Sequence, residues 1–283
     1  MIFECHGHII LDGISYAEAI SRHERSVDEA FVRKNLQTNA EQGITFYRDG
    51  GDKHGVSAYA RKVAIEYGVD YRSPIYIIHK KGFYGSMFGR AFESLFEYRE
   101  LVAEASKLGA DFIKLTASGM LDFSDDGCIT GQLMSGSELK EMIKIAHGEG
   151  FAVMIHANSA DAIKQAAEAG ANSIEHGFYM NVDALQIIKQ TGAVWVPTIV
   201  TVGNLIGKGV YNDKLLLRIF EGHKNMLKTA LAMDIPIACG SDAGAFCVPQ
   251  GIGAHNELSV LNSLGIDPTA GNKLIEEVFK RKC

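Results

Sequence analysis

The sequence predicts an α/β protein folded as a (β/α)8 TIM barrel. Short runs rich in β-branched and aromatic residues alternate with longer amphipathic segments, the pattern of βα units around a parallel sheet. Eight such runs can be counted, and a glycine recurs where helix gives way to strand. In order, the runs are 2–5 (IFEC), 45–48 (TFYR), 75–78 (IYII), 112–115 (FIKL), 152–155 (AVMI), 173–175 (SIE), 194–197 (VWVP) and 237–239 (IAC). The intervening helices carry their own punctuation. Ser137 reads as an N-cap with Gly150 closing that helix, and Ser159 opens the next with Gly170 closing it. Gly43, Gly68, Gly109, Gly150, Gly170 and Gly192 each fit the left-handed position that reverses the chain into a strand. An open dinucleotide-binding sheet would want G-x-G-x-x-G after its first strand. This chain has CHGHIILDG there, which excludes it.

The bulk numbers agree with one large core. A parallel barrel takes roughly 250 residues, and this chain has 283, of which 47% are hydrophobic and 22% charged. No Pro/Gly/Ser-rich linker or low-complexity stretch divides it, so residues 1–283 are expected to form a single domain. The net charge of −6 and the lack of a basic stripe argue against a nucleic-acid partner. Lys80-Lys81 and Lys280-Arg281-Lys282 are short enough to be solvated surface. Cys5, Cys128, Cys239, Cys247 and Cys283 are odd in number and form no C-x-x-C pair, which fits a reducing compartment. No basic segment followed by a long apolar run opens the chain, and stretches such as 193–202 are too short to span a bilayer. The expectation is a cytoplasmic protein with a small-molecule substrate, no nucleic-acid or membrane partner, and self-association left open.

In a parallel barrel the active site lies at the C-terminal ends of the strands. His6 and His8 follow the first strand, Lys114 lies in the fourth, His156 ends the fifth, His176 the sixth, and Asp242 follows the eighth. Imidazole and carboxylate are ordinary ligands for Zn²⁺ and similar ions. His6 and His8 are two apart and so share a side, with Gly7 keeping the backbone slim between them. Lys114 is the odd member. A buried ammonium beside cations is costly, but desolvation makes the amine easier to deprotonate, and a neutral amine adds CO₂ to give an anionic, bidentate carbamate.

The ordered set CHGH, FIKL, IHAN, IEHG and GSDAG resembles the amidohydrolase superfamily, in its two-metal branch with a carboxylated lysine. GADFIKLTASG, AGANSIEHG, VPTIVT and Asn256-Glu257-Leu258 look like its prolidase-like and imidazolonepropionase-like members. The resemblance runs from Glu4 to about Leu264. It implies two divalent ions, with zinc the expected metal. His6, His8 and Asp242 would bind the more buried ion, His156 and His176 the second, and carboxylated Lys114 and a hydroxide would bridge both. Asp242 would act as general base and then general acid. Relatives usually carry a small β-sandwich around the barrel. Here strand one begins at Ile2 and the sequence stops at Cys283, so a bare barrel is expected.

Four further residues are candidates for substrate contact: Tyr179, three past His176; His79, in a basic loop with Lys80, Lys81, Tyr84 and Arg90; Arg48; and His255. The expected reaction is hydrolysis of an amide or related C–N bond, in a dipeptide or N-acyl amino acid. Three alternatives use the same barrel. A one-metal deaminase would want H-x-x-E at His156, which Ala157-Asn158-Ser159 does not supply. A lactonase or other ester hydrolase would share the centre, and a metal-dependent decarboxylase would make Lys114 dispensable.

Overall fold

In the computed structural model the strands of both sheets pair in parallel, as alternating βα units require, and an isolated antiparallel bridge joins Leu121 to Ile129 in a loop. Residues 1–280 are described; Cys283 and the end of the basic run at 281–282 lie outside them. The strands are β1 (Ile2–Gly7), β2 (Ile44–Asp49), β3 (Asp70–Arg72), β4 (Ile77–Lys80), β5 (Gly89–Phe92), β6 (Ile113–Thr116), β7 (Val153–Ala157), β8 (Ser173–His176) and β9 (Val194–Val196). They form two ladders, β1-β2-β3 and β5-β4-β6-β7-β8-β9. Helices alternate with them in the (β/α)8 order.

Two staves depart from the expected form. The third is split: 70–72 pairs with β2 and 77–80 pairs with β6, because Pro74 and a left-handed Ile75 (φ 68°) break the run between them. The strand expected at 75–78 therefore starts two residues later. The eighth, expected at 237–239, is only a bridge from Ile237 to Trp195. Pro236 has no N–H to give a ladder. Individual hydrogen bonds hold this stave instead. Ala238 N–H donates to Trp195 O and Cys5 N–H to Cys239 O, each at 2.9 Å, while Asp242 N–H donates to His6 O at 2.7 Å. The segment thus lies between β9 and β1.

The six helix-ending glycines all have positive φ. Ser159 caps its helix through Ala162 N–H. Ser137 does not: the extended Ser135 is the cap, accepting from Glu138 N–H at 3.3 Å, so that helix begins at Gly136. Side-chain alternation sorts the core. Ile113, Leu115, Val153 and Ile155 face outward onto Val102, Met142 and Ile163 of the helices. Phe112 and Met154 face inward, where Phe3, Phe46, Val196 and Phe279 close the bottom of the barrel. Burying each such side chain contributes about 1.5–3 kcal/mol. The same alternation turns Lys114 and His156, two residues on from Phe112 and Met154, toward the interior above that plug.

Candidate metal centre

His6, His8, Lys114, His156, His176 and Asp242 all line one cavity of about 290 Å³. Ligand atoms of His6, His8 and Asp242 lie within 4.8 Å of one another. Asp242 Oδ1 is 3.7 Å from His6 Nε2 and 3.5 Å from His8 Nε2. The rings of His6 and His176 are 4.8 Å apart, and those of His176 and His156 4.5 Å. The group forms a continuous arc across five strand ends. His8 lies just past β1, whose register shifts between Glu4 and Gly7. Its Nε2 faces Asp242 from the same side as that of His6. A Cβ at Gly7 would overlap the Tyr47 phenol, and one at Gly50 the His8 ring, so both positions must stay bare.

Three of the four imidazoles are aimed by a bond on the far side, whereas His8 Nδ1 is buried with no partner. His6 Nδ1 bonds Glu175 Oε2 at 2.7 Å and His176 Nδ1 bonds Thr198 Oγ1 at 2.8 Å, which leaves the Nε2 atoms for the centre. His156 is turned the other way: Nε2 bonds Gly119 O at 2.9 Å, leaving Nδ1. Outer partners of this kind fix the tautomer of ligating histidines. His176, Thr198 and Asp242 have φ of 67°, 46° and 61°. For a β-branched threonine this is a genuine outlier, and strain of this kind gathers at functional sites.

Burial dominates the electrostatics. It lowers the pKa of His8 and His156 to about 3, and that of His6 and His176 well below the usual value, with the Lys114 charge adding to each. All four rings are therefore neutral and able to donate lone pairs at pH 7. Burial likewise pushes Lys114 down and Asp242 up, each partly opposed by the other's charge. Lys114 Nζ, His6 Nε2 and His8 Nδ1 are buried without a hydrogen-bond partner. Such orphaned atoms are costly unless something binds them.

The four candidates for substrate contact lie elsewhere. Arg48 is fully buried beneath the site, giving Nε to Cys5 O, Nη1 to Ser173 Oγ and Nη2 to both Glu175 oxygens. Its guanidinium stacks on Phe279 at 4.3 Å. It is an internal ion pair that steadies the carboxylate holding His6. Removing one partner of such a pair leaves an uncompensated charge. Arg48→Met is expected to cost about 3–5 kcal/mol of stability by denaturant unfolding; a cost below about 1 kcal/mol would contradict this role.

His79 bonds the Lys80 carbonyl and packs under Gly85 and Gly89. His255 sits on helix Ile252–Ser263 and bonds Gln42 O. Tyr179, left-handed at φ 58°, packs into the cluster around Leu215 and Ile219, and Phe178 lines the cavity in its place.

Sequence reasoning passed over several neighbours. Glu175 and Glu4 were visible as acids inside apolar strands. Glu4 accepts from Ser241 N–H (2.7 Å) and His6 N–H (3.2 Å), tying β1 to the Asp242 loop. Burial raises its pKa to about 8 despite those bonds. Glu257 accepts from the Ile199 and Val200 amides, bracing the loop after β9. Tyr84 and Phe88, whose rings lie 4.7 Å from His156 and 5.4 Å from His8, come from an irregular loop with no readable pattern.

Known proteins resemble this chain in sequence and in fold. An uncharacterised protein of Mycobacterium tuberculosis is 27% identical over 150 residues, covering 51% of this chain and 40% of that protein. Ochratoxinase of Aspergillus niger is 27% identical over 151 residues, covering 52% of this chain and 31% of the enzyme. The matched stretches thus span well under half of these relatives. In structure, A. niger ochratoxinase superimposes with a TM-score of 0.78 at 20% identity, covering 98% of this chain and 69% of that one. A Xaa-Pro dipeptidase with bound methionine gives 0.77 at 21% identity, covering 98% and 72%. These likenesses carry the fold. A family model adds the sequence evidence over nearly the whole barrel: residues 10–279 match the amidohydrolase family, and this chain belongs to it.

Proposed function

We propose that this chain hydrolyses an amide or related C–N bond at a centre of two divalent cations, zinc being the expected metal. One observation carries the reading. Four neutral imidazoles, a carboxylate and a lysine line a single cavity, and three of their nitrogens, His6 Nε2, His8 Nδ1 and Lys114 Nζ, have no hydrogen-bond partner within the protein. This donor set fits borderline divalent ions. His6, His8 and Asp242 would hold one, and His156 and His176 the other. Lys114, with its pKa depressed by burial, would take up CO₂ as a carbamate with release of one proton and hold both. When bound, such a pair supplies Lewis acidity toward a carbonyl and acidifies water.

The protein's own residues do the remainder. Glu175 and Thr198 keep the Nε2 lone pairs of His6 and His176 pointed at the cavity. Asp242 accepts the proton of the attacking water on its carboxylate and returns it to the leaving nitrogen. Tyr84 and Phe88 pack against His156 and His8 and exclude bulk water. Protein produced with zinc and bicarbonate is expected to hold about two metal ions per chain, read by elemental analysis. Removing them with a chelator should abolish hydrolysis, and adding zinc back should restore it. Full activity in metal-stripped protein, or no stoichiometric divalent ion, would sink the reading.

A further inference from the structure

We infer that the part of the substrate filling this cavity is uncharged and apolar, an aryl or bulky alkyl group bearing no free carboxylate; this rests on the hydrolase reading above. The walls above the centre are largely apolar and rich in aromatic rings, with Tyr84, Phe88, Phe123, Phe178, Tyr211 and Phe246 among them. Among the described residues lining the cavity, Lys114 is the sole lysine or arginine, and it belongs to the centre itself. A dipeptide or N-acyl amino acid brings a carboxylate, which when desolvated needs a cation or several N–H donors.

The cations nearest in the sequence pattern are committed elsewhere. Arg48 is locked to Glu175 beneath the site, Lys80 to Glu138 at 2.8 Å, and Lys81 to Glu93. Arg90 pairs with Glu104, and Arg218 with Asp126 at 2.9 Å. The turn that delivers Phe123 to the wall also carries Asp122 and Asp125, with Asp126 held by Arg218, so the adjoining surface keeps a net negative charge that disfavours an anion. Phe123 and Tyr211 meet at 4.6 Å between ring centroids. Their flat faces suit an aryl group rather than an ion. A neutral substrate departs from the carboxylate-bearing one expected from the sequence, and the two probes below decide between them.

The test uses the zinc-loaded full chain and two chelating probes, 4-phenylbutanohydroxamic acid and its 4-carboxyphenyl analogue, compared by calorimetry. The neutral probe is expected to bind about tenfold more tightly or better. In Phe123→Arg that ratio should shrink or invert, with metal content and thermal unfolding verifying that the variant is folded and loaded. Equal binding of the two probes, a preference for the anionic one, or no binding of either to metal-loaded protein overturns this inference alone. So does an unchanged ratio in folded, loaded Phe123→Arg. If the wild-type chain holds no metal and binds neither probe, the hydrolase reading fails, and this inference with it.

Discussion

Asp242→Asn is expected to lower kcat/KM for amide hydrolysis by about 10³-fold while leaving the protein folded. Asparagine keeps the shape of the side chain and one oxygen, but it cannot accept the proton of an attacking water. The fold should tolerate it because the backbone is already suited: position 242 sits at φ 61°, a conformation asparagine adopts readily, and its N–H donates to His6 O. Steady-state kinetics on one amide, alongside metal content and a thermal melt, separate the loss of a base from loss of the site. Activity within about tenfold of wild type, with metal retained, would remove Asp242 from proton transfer.

Lys114→Met is expected to act in opposite directions on activity and on the stability of the metal-free chain. Hydrolysis should fall by at least about 10²-fold and bound metal should drop below two ions per chain, because no carbamate can form. Unchanged hydrolysis with two ions still bound would remove Lys114 from the centre. In metal-stripped protein, however, the same substitution removes a buried amine that has no partner, so the chain should gain about 1–3 kcal/mol near pH 7.

The sign of the pH effect follows from the direction of the shift. Burial lowers the Lys114 pKa from 10.5 to about 8. Between those values the unfolded chain binds more protons than the folded one, and stability therefore rises with pH. The penalty is fully present below about pH 8 and is relieved as pH climbs toward 10.5. Denaturant unfolding at pH 7 and pH 10 should show metal-free wild type approaching Lys114→Met at the higher value. A constant gap between the two would refute the assignment.

The βα order was readable because it depends on local periodicity. IYII and FIKL announce strands whatever lies around them, and Gly150 or Gly170 ends a helix through its own backbone freedom. The candidate centre was readable for a related reason. His156, His176 and Lys114 lie at or near the carboxyl ends of apolar runs, and it was their matching places on successive strands, rather than any one of them alone, that marked the centre. The split third stave was not readable, since Ile75 takes a left-handed turn only because 70–72 and 77–80 are held by different neighbours.

What the amino-acid order determined by itself, then, was the alternation of elements and the six polar side chains gathered at one end, because both rest on short-range period and parity. Tertiary structure decided which of those side chains are aimed by Glu175 and Thr198, and that Arg48 serves Glu175 rather than a substrate. It also decided that the cavity wall is apolar and rich in aromatic rings and that, among the described residues, it carries no lysine or arginine beyond Lys114. Each of these depends on where distant residues meet. Arg48 reaches Ser173 across 125 positions of sequence, and Phe123 meets Tyr211 from a loop with no regular pattern. Contacts of that range are set by how the staves pack together, and no local signal encodes them.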